Sequence, residues 1–104
     1  MTTHFLNRLF SPRSIAVFGA SQTTDAVGRR VFDNLIDTDF NGPVYAVNPK
    51  YDRIDDHICY PNIEAINEAV DLAVIATTAT TIEAIIHECG HARVKAANII
   101  SAGF

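Results

Sequence analysis

Cysteine is scarce in this chain: Cys59 and Cys89 are the only two, and they stand in no metal-type or redox-type spacing. Both are therefore expected as reduced thiols. No apolar run approaches the length needed to span a bilayer, and Met1–Leu9 lacks the apolar centre of a secretory signal. Positive charge is also short, 8 Lys and Arg against 12 Asp and Glu for a net charge of −4, which removes the electrostatic basis for a nucleic-acid or acidic-membrane partner. The dinucleotide fingerprint G-x-G-x-x-G is missing; Gly19 and Gly28 stand alone. With 104 residues, 48% hydrophobic and 19% charged, the composition excludes wholesale disorder and fits one domain with a modest core. These absences together point to a cytoplasmic location.

What is present is a succession of short β-type runs separated by helical patterns. Phe5, Leu6, Leu9 and Phe10 mark one face of a short helix over His4–Phe10, stopped by Pro12. Strand one follows at Ser14–Phe18 and breaks at Gly19. A helix is predicted over Val27–Ile36, with Val27, Val31 and Leu35 toward the sheet. Strand two is Val44–Val47. A polar loop over Tyr51–His57 and a weak short helix around Ile63–Glu68 lead to strand three, Leu72–Ala76. Thr80-x-x-Glu83 reads as a capping box opening a helix to Cys89, with Ile82, Ile85, Ile86 and Cys89 as its buried stripe and Gly90 as its stop. Strand four is Ala97–Ile100. The order β-α-β-α-β-α-β implies an α/β Rossmann-like parallel sheet with helices on both faces. Such a sheet usually carries one or two strands more, so residues 1–104 are expected to be the N-terminal piece of a longer multidomain chain.

Each strand ends in small or polar residues: Gly19-Ala20-Ser21, Asn48-Pro49-Lys50, Thr77-Thr78-Ala79 and Ser101-Ala102-Gly103. In a parallel sheet these tips share one edge, where ligands bind at the point of strand-order reversal. Backbone N–H groups between Ser21 and Gly28 suit phosphates at a helix N-terminus. The acidic residue that accepts the ribose of NAD is replaced by Asn48-Pro49-Lys50, whose cation prefers a phosphorylated ribose, as in NADP or coenzyme A. Arg29-Arg30, opening a helix, adds a weaker hint of an anion. Gly19→Val is expected to disturb ligand binding more than folding. His87 and His91 stand four apart, but a helix ending at Gly90 makes them a solvated end rather than a metal pair. His4 and His57 stand alone, and Cys59 reads as packing, not nucleophile.

The chain resembles the coenzyme A-binding domain of nucleoside-diphosphate-forming acyl-CoA synthetases, relatives of the succinyl-CoA synthetase α subunit. The matching segments are Leu9-Phe-Ser-Pro-Arg-Ser-Ile-Ala-Val-Phe-Gly-Ala-Ser21, Val27-Gly28, Gly42-Pro-Val-Tyr-Ala-Val-Asn-Pro-Lys50, Val70-Asp-Leu-Ala-Val-Ile75 and Ile99-Ile-Ser-Ala-Gly-Phe104. A similar domain opens bacterial GNAT-type protein lysine acetyltransferases. The resemblance implies a coenzyme A or acyl-CoA site, with the loop Gly19, Ala20, Ser21 and Gln22 at the phosphates and Asn48, Pro49 and Lys50 at the adenosine end. Thr77, Thr78, Ser101 and Ala102 would then flank the pantetheine. The family often has proline where this chain has Thr77-Thr78. The phosphorylated histidine of the synthetases lies in a following domain and matches none of His4, His57, His87 or His91. The resemblance thus implies a non-catalytic binding module whose partners are further domains or a subunit of an acetate–CoA-ligase-type enzyme. An acetyltransferase parent is the alternative, and an NADP-binding oxidoreductase or redox-sensing domain a second.

Overall fold

The computed structural model describes residues 11–38 and 40–100. The helix expected over His4–Phe10 and the tip Ser101-Ala102-Gly103 lie outside them. Along the chain run β1 (Ile15–Phe18), α1 (Val27–Asp37), β2 (Val44–Val47), β3 (Arg53–Ile54), β4 (His57–Tyr60), a 3-10 turn (Ile63–Ala65), β5 (Leu72–Ile75), α2 (Ala79–His91) and β6 (Ala96–Ile99). They build one sheet in the order β3-β4-β2-β1-β5-β6. All pairings are parallel except β3 with β4, which form an antiparallel hairpin at the edge.

β1 lies at the centre, and each of its four residues is buried. An apolar strand without alternation is what a sheet covered on both faces demands. On one face, Phe32 of α1 packs among Ile15, Val17, Ala46 and Val74. On the other, Cys89 of α2 and Ile63 and Ile66 pack against Ala16, Phe18, Ala73 and Ile75. Phe32 is 1% exposed, and burial of such a ring stabilises by roughly 1.5–3 kcal/mol. At the lower edge, Ser14 Oγ donates to the Ala69 carbonyl (2.9 Å) and accepts from the Asp71 N–H (3.1 Å), while the Asp71 carboxylate accepts from the Arg13 N–H (2.8 Å). This knot fixes the entry of β5 beside β1.

Several local expectations are corrected. The stretch Tyr51–His57 expected as a loop contains β3 and the first residue of β4, a strand that pairs with β2 through Ala46–Cys59 and Val47–Tyr60. These strands are too short, Arg-Ile and His-Ile-Cys-Tyr, for a pattern to announce them, and they form where β2 offers an open ladder to β4 and β4 in turn to β3. α1 faces the sheet through Gly28 and Phe32, flanked by Val31 and Leu35, while Val27 is 39% exposed. Position 28 carries no side chain, so a hydrophobic pattern cannot reveal the contact. Ile86 likewise stands 43% exposed, outside the buried stripe of α2.

The ends of α2 differ too. Its N-cap is Thr78, so Thr80 and Glu83 lie inside the helix and form no capping box. At the other end Gly90 does not stop it: the helix runs through His91 and closes with Val94 N–H donating to the Cys89 carbonyl (3.0 Å) and Arg93 N–H to Gly90 (3.1 Å). That pairing is a Schellman closure, and it holds Arg93 at φ 62°, where glycine is usual. A Cβ on Gly90 would meet nothing within 4 Å. Exchanging the two requirements, Gly90→Ala with Arg93→Gly, should therefore raise stability by about 1 kcal/mol. Chemical denaturation should show a higher midpoint at an unchanged slope; a lower midpoint would contradict this account of the helix end.

Candidate functional site

From β1 the chain crosses to β2 on one side and returns to β5 on the other, so the strand order reverses between β1 and β5. Above that reversal lies an open cleft of about 1040 Å³. It brings together Gly19, Ser21, Asn48, Pro49, Lys50, Thr77 and Thr78 from three separate strand ends. Two expected residues are not among its walls. Ala20 is fully buried beneath the loop, and Gln22 turns its amide to the Arg53 carbonyl (2.8 Å). Ser101 and Ala102 lie outside the described residues.

The floor is set by Gly19, whose φ of 95° turns the chain directly off β1. Its N–H donates to the Val47 carbonyl (3.0 Å), and the Phe18 carbonyl accepts from Ala76 N–H (2.9 Å), so the three strand ends are stitched level. Gly28 lies so close that a Cβ there would strike the Gly19 carbonyl, which brings the first turn of α1 flush against the β1 exit. Both helices then open on the cleft. Neither Ala26 before α1 nor Thr78 before α2 caps its helix with a side chain, and neither first turn holds an acidic residue. Two positive helix ends without side-chain caps thus converge on one space, an arrangement suited to an anion.

Asn48 organises the rim. Its Nδ2 donates to the Ala20 carbonyl (2.9 Å), its Oδ1 accepts from Lys50 N–H (2.9 Å), and its own N–H donates to Tyr60 (2.8 Å). The Cys59 thiol, raised by burial above its ordinary pKa, reaches the Asn48 carbonyl at 3.5 Å. The amide of Asn48 therefore clamps the loop after β1 to the loop after β2. Ser21 Oγ accepts from Thr23 N–H (3.0 Å) and lies 3.3 Å from the Tyr51 hydroxyl. That hydrogen bond, with the charge of Lys50 adding to it, lowers the Tyr51 phenol. Lys50 is the only cation lining the cleft among the described residues, whose walls also include Asp25 and Glu88.

Arg29 and Arg30 supply no free cation. Arg30 stands 3.7 Å from Asp25, and Arg29 is buried with its guanidinium on Asp33 and Asp55. His87 and His91 hold their rings edge to face, 4.8 Å apart, on the last turns of α2. Among the described residues no three His, Cys, Asp or Glu side chains are grouped to hold a metal ion. Cys89 is buried, and its thiol is pushed up to about 11. Also among them, no helix is long and apolar enough to cross a membrane.

One wall escaped the sequence reading. Thr81, Ala84, Ile85 and Glu88 of α2 face the cleft, spaced i, i+3, i+4, i+7. That periodicity was readable, but a mixed polar and apolar stripe resembles an ordinary surface. Burial, with Glu64 adding, raises the Glu88 carboxyl. A raised folded pKa means stability is complete below the ordinary carboxylate range and is lost as pH climbs through the raised value. Glu88→Gln should thus melt higher than the native protein at pH 7, with the gain vanishing near pH 3. A gain that grows in acid would reverse the sign and refute the assignment.

Residues 13–103 match the model of the CoA binding domain. The chain is 46% identical over 99 residues to the ADP-forming acetate–CoA ligase I of Archaeoglobus fulgidus, covering 95% of this chain and 14% of that one. It is 43% identical over 93 residues to the ADP-forming acetate–CoA ligase of Methanocaldococcus jannaschii, covering 89% and 13%. Among solved structures, the dinucleotide-forming acetyl-coenzyme A synthetase 1 of Ca. Korarchaeum cryptofilum, in complex with phosphate and ADP, superposes with a TM-score of 0.86 at 39% identity. That match covers 95% of this chain and 21% of that one. The chain therefore spans about one seventh of the length of the curated relatives it matches. A doubly wound sheet, a cleft over its switch point and a match along nearly the whole length agree: this chain belongs to the CoA binding domain family.

Proposed function

We propose that the cleft binds coenzyme A or an acyl-CoA, and that the chain serves as the coenzyme A-binding domain of an ADP-forming acyl-CoA ligase. The observation that carries this is the convergence of two uncapped helix N-termini and Lys50 on the loop that leaves β1. The helix ends suit the diphosphate. Lys50, at the end of β2 where an NAD site has an acidic residue, suits the phosphate on the adenosine ribose. Gly19 and Ser21 border the diphosphate, Asn48 and Pro49 shape the adenosine end, and Thr77 and Thr78 flank the pantetheine, a role also proposed for Ser101 and Ala102. Ala20 and Gln22 support the loop from behind. The domain binds and orients its ligand; the chemistry belongs to further domains or a subunit of a cytoplasmic ligase.

Calorimetric titration tests the reading. Coenzyme A should bind more tightly than NADP or NAD. Lys50→Ala should weaken coenzyme A about tenfold, roughly 1.4 kcal/mol, while leaving dephospho-coenzyme A nearly unchanged. Tighter binding of NADP, or equal losses for both coenzyme A forms, would overturn it.

A further inference from the structure

Arg29 is the buried arginine of the described residues, and it sits in the first turn of α1, where a cation opposes the helix dipole. Its position is explained by what it holds. Nε meets both carboxylate oxygens of Asp33 at 2.9 and 3.0 Å, and Nη2 donates to Asp55. Nη1 donates to the carbonyls of Ser21 (3.4 Å) and Gln22 (3.2 Å). Because a trans peptide points its C=O and N–H in opposite directions, capturing these two carbonyls turns the Gln22 and Thr23 N–H groups away from the guanidinium. Asp55 occupies the turn between β3 and β4 at φ 53°, and Gln22 bonds Arg53 on the same hairpin. The loop is thus tied twice to an edge hairpin that contributes neither Arg53 nor Asp55 to the cleft.

We infer that Arg29 is a positioning residue: it sets the peptide planes of the loop after β1 and couples their order to the β3–β4 turn through Asp55. A lysine could not replace it, since one ammonium cannot span two carbonyls and two carboxylates on opposite sides. The consequence for affinity rests on the reading of the cleft as a coenzyme A site; the consequence for loop order does not.

The test measures backbone 15N order parameters at residues 21–23 in the ligand-free protein, alongside titration with coenzyme A. Native, Arg29→Lys, Asp55→Gly and Asp33→Asn proteins are compared. Asp55 is largely exposed and glycine accepts its positive φ, so Asp55→Gly keeps the fold even if Arg29→Lys does not. In Arg29→Lys and Asp55→Gly the order parameters of residues 21–23 should fall below about 0.6, and coenzyme A affinity should drop about tenfold and threefold. Asp33→Asn keeps an acceptor for Nε and should lower the melting temperature without loosening the loop, which separates positioning from bulk stability. Unchanged loop order in Asp55→Gly or equal loosening in Asp33→Asn would overturn the inference, and a loosened loop with native affinity would overturn its consequence for coenzyme A binding. If the native protein binds no coenzyme A, the functional reading fails while the order parameters still decide this one.

Discussion

Gly19→Val is expected to unfold the protein at moderate temperature, not merely to empty its ligand site. The sequence alone suggested the opposite, because a glycine at a strand end reads as room for a ligand. In the structure a Cβ at position 19 points at the Ala76 carbonyl, backbone of the adjoining strand end, not at the cleft. The residue also sits at φ 95°, which costs an L side chain roughly 1–2 kcal/mol before any collision. Pushing β1 and β5 apart adds to this, for a total on the order of 3–5 kcal/mol. Thermal unfolding followed by circular dichroism should show a midpoint lower by about 15 °C or more. Gly28→Ala is the companion variant. Helical φ suits alanine there, so its whole loss is steric, from the contact with the Gly19 carbonyl. If both variants melt within a few degrees of the native protein, the loop is not held by backbone contact at all.

Asn48→Ala should produce the second largest effect. It removes the donor to the Ala20 carbonyl and the acceptor for Lys50 N–H together. Ala20 is fully buried, so its carbonyl loses a partner in a place with poor access to water. An orphaned buried acceptor costs about 1–3 kcal/mol, and the lost turn at Lys50 adds to it. A drop of roughly 2–4 kcal/mol in unfolding free energy is expected, with coenzyme A affinity falling alongside, because the loops after β1 and β2 no longer share a clamp. Asn48→Asp discriminates: it keeps the acceptor for Lys50 N–H but sets a carboxylate against the Ala20 carbonyl. It should be nearly as unstable as the alanine variant. A stable Asn48→Asp would mean that the bond to Ala20 carries little.

The sequence by itself determined the fold class and the edge of the sheet where the strand tips gather into a cleft. The apolar runs Ile15–Phe18 and Leu72–Ile75 are buried on both faces, and only a doubly covered parallel sheet uses such strands. Polar residues ending each run mark one edge, since parallel strands finish together. Tertiary structure decided what needed a neighbour. β4 takes its place on the open ladder of β2, and β3 on that of β4. Arg29 is an internal tie and not an anion ligand because Asp55 arrives from a distant turn. Asn48 is a clamp as much as a wall, because the Ala20 carbonyl needs its amide. Periodicity and strand-end chemistry are local, so one sequence displays them. A hydrogen-bond partner 20 or more residues away is set by where the sheet brings the chain back, and no local pattern carries that.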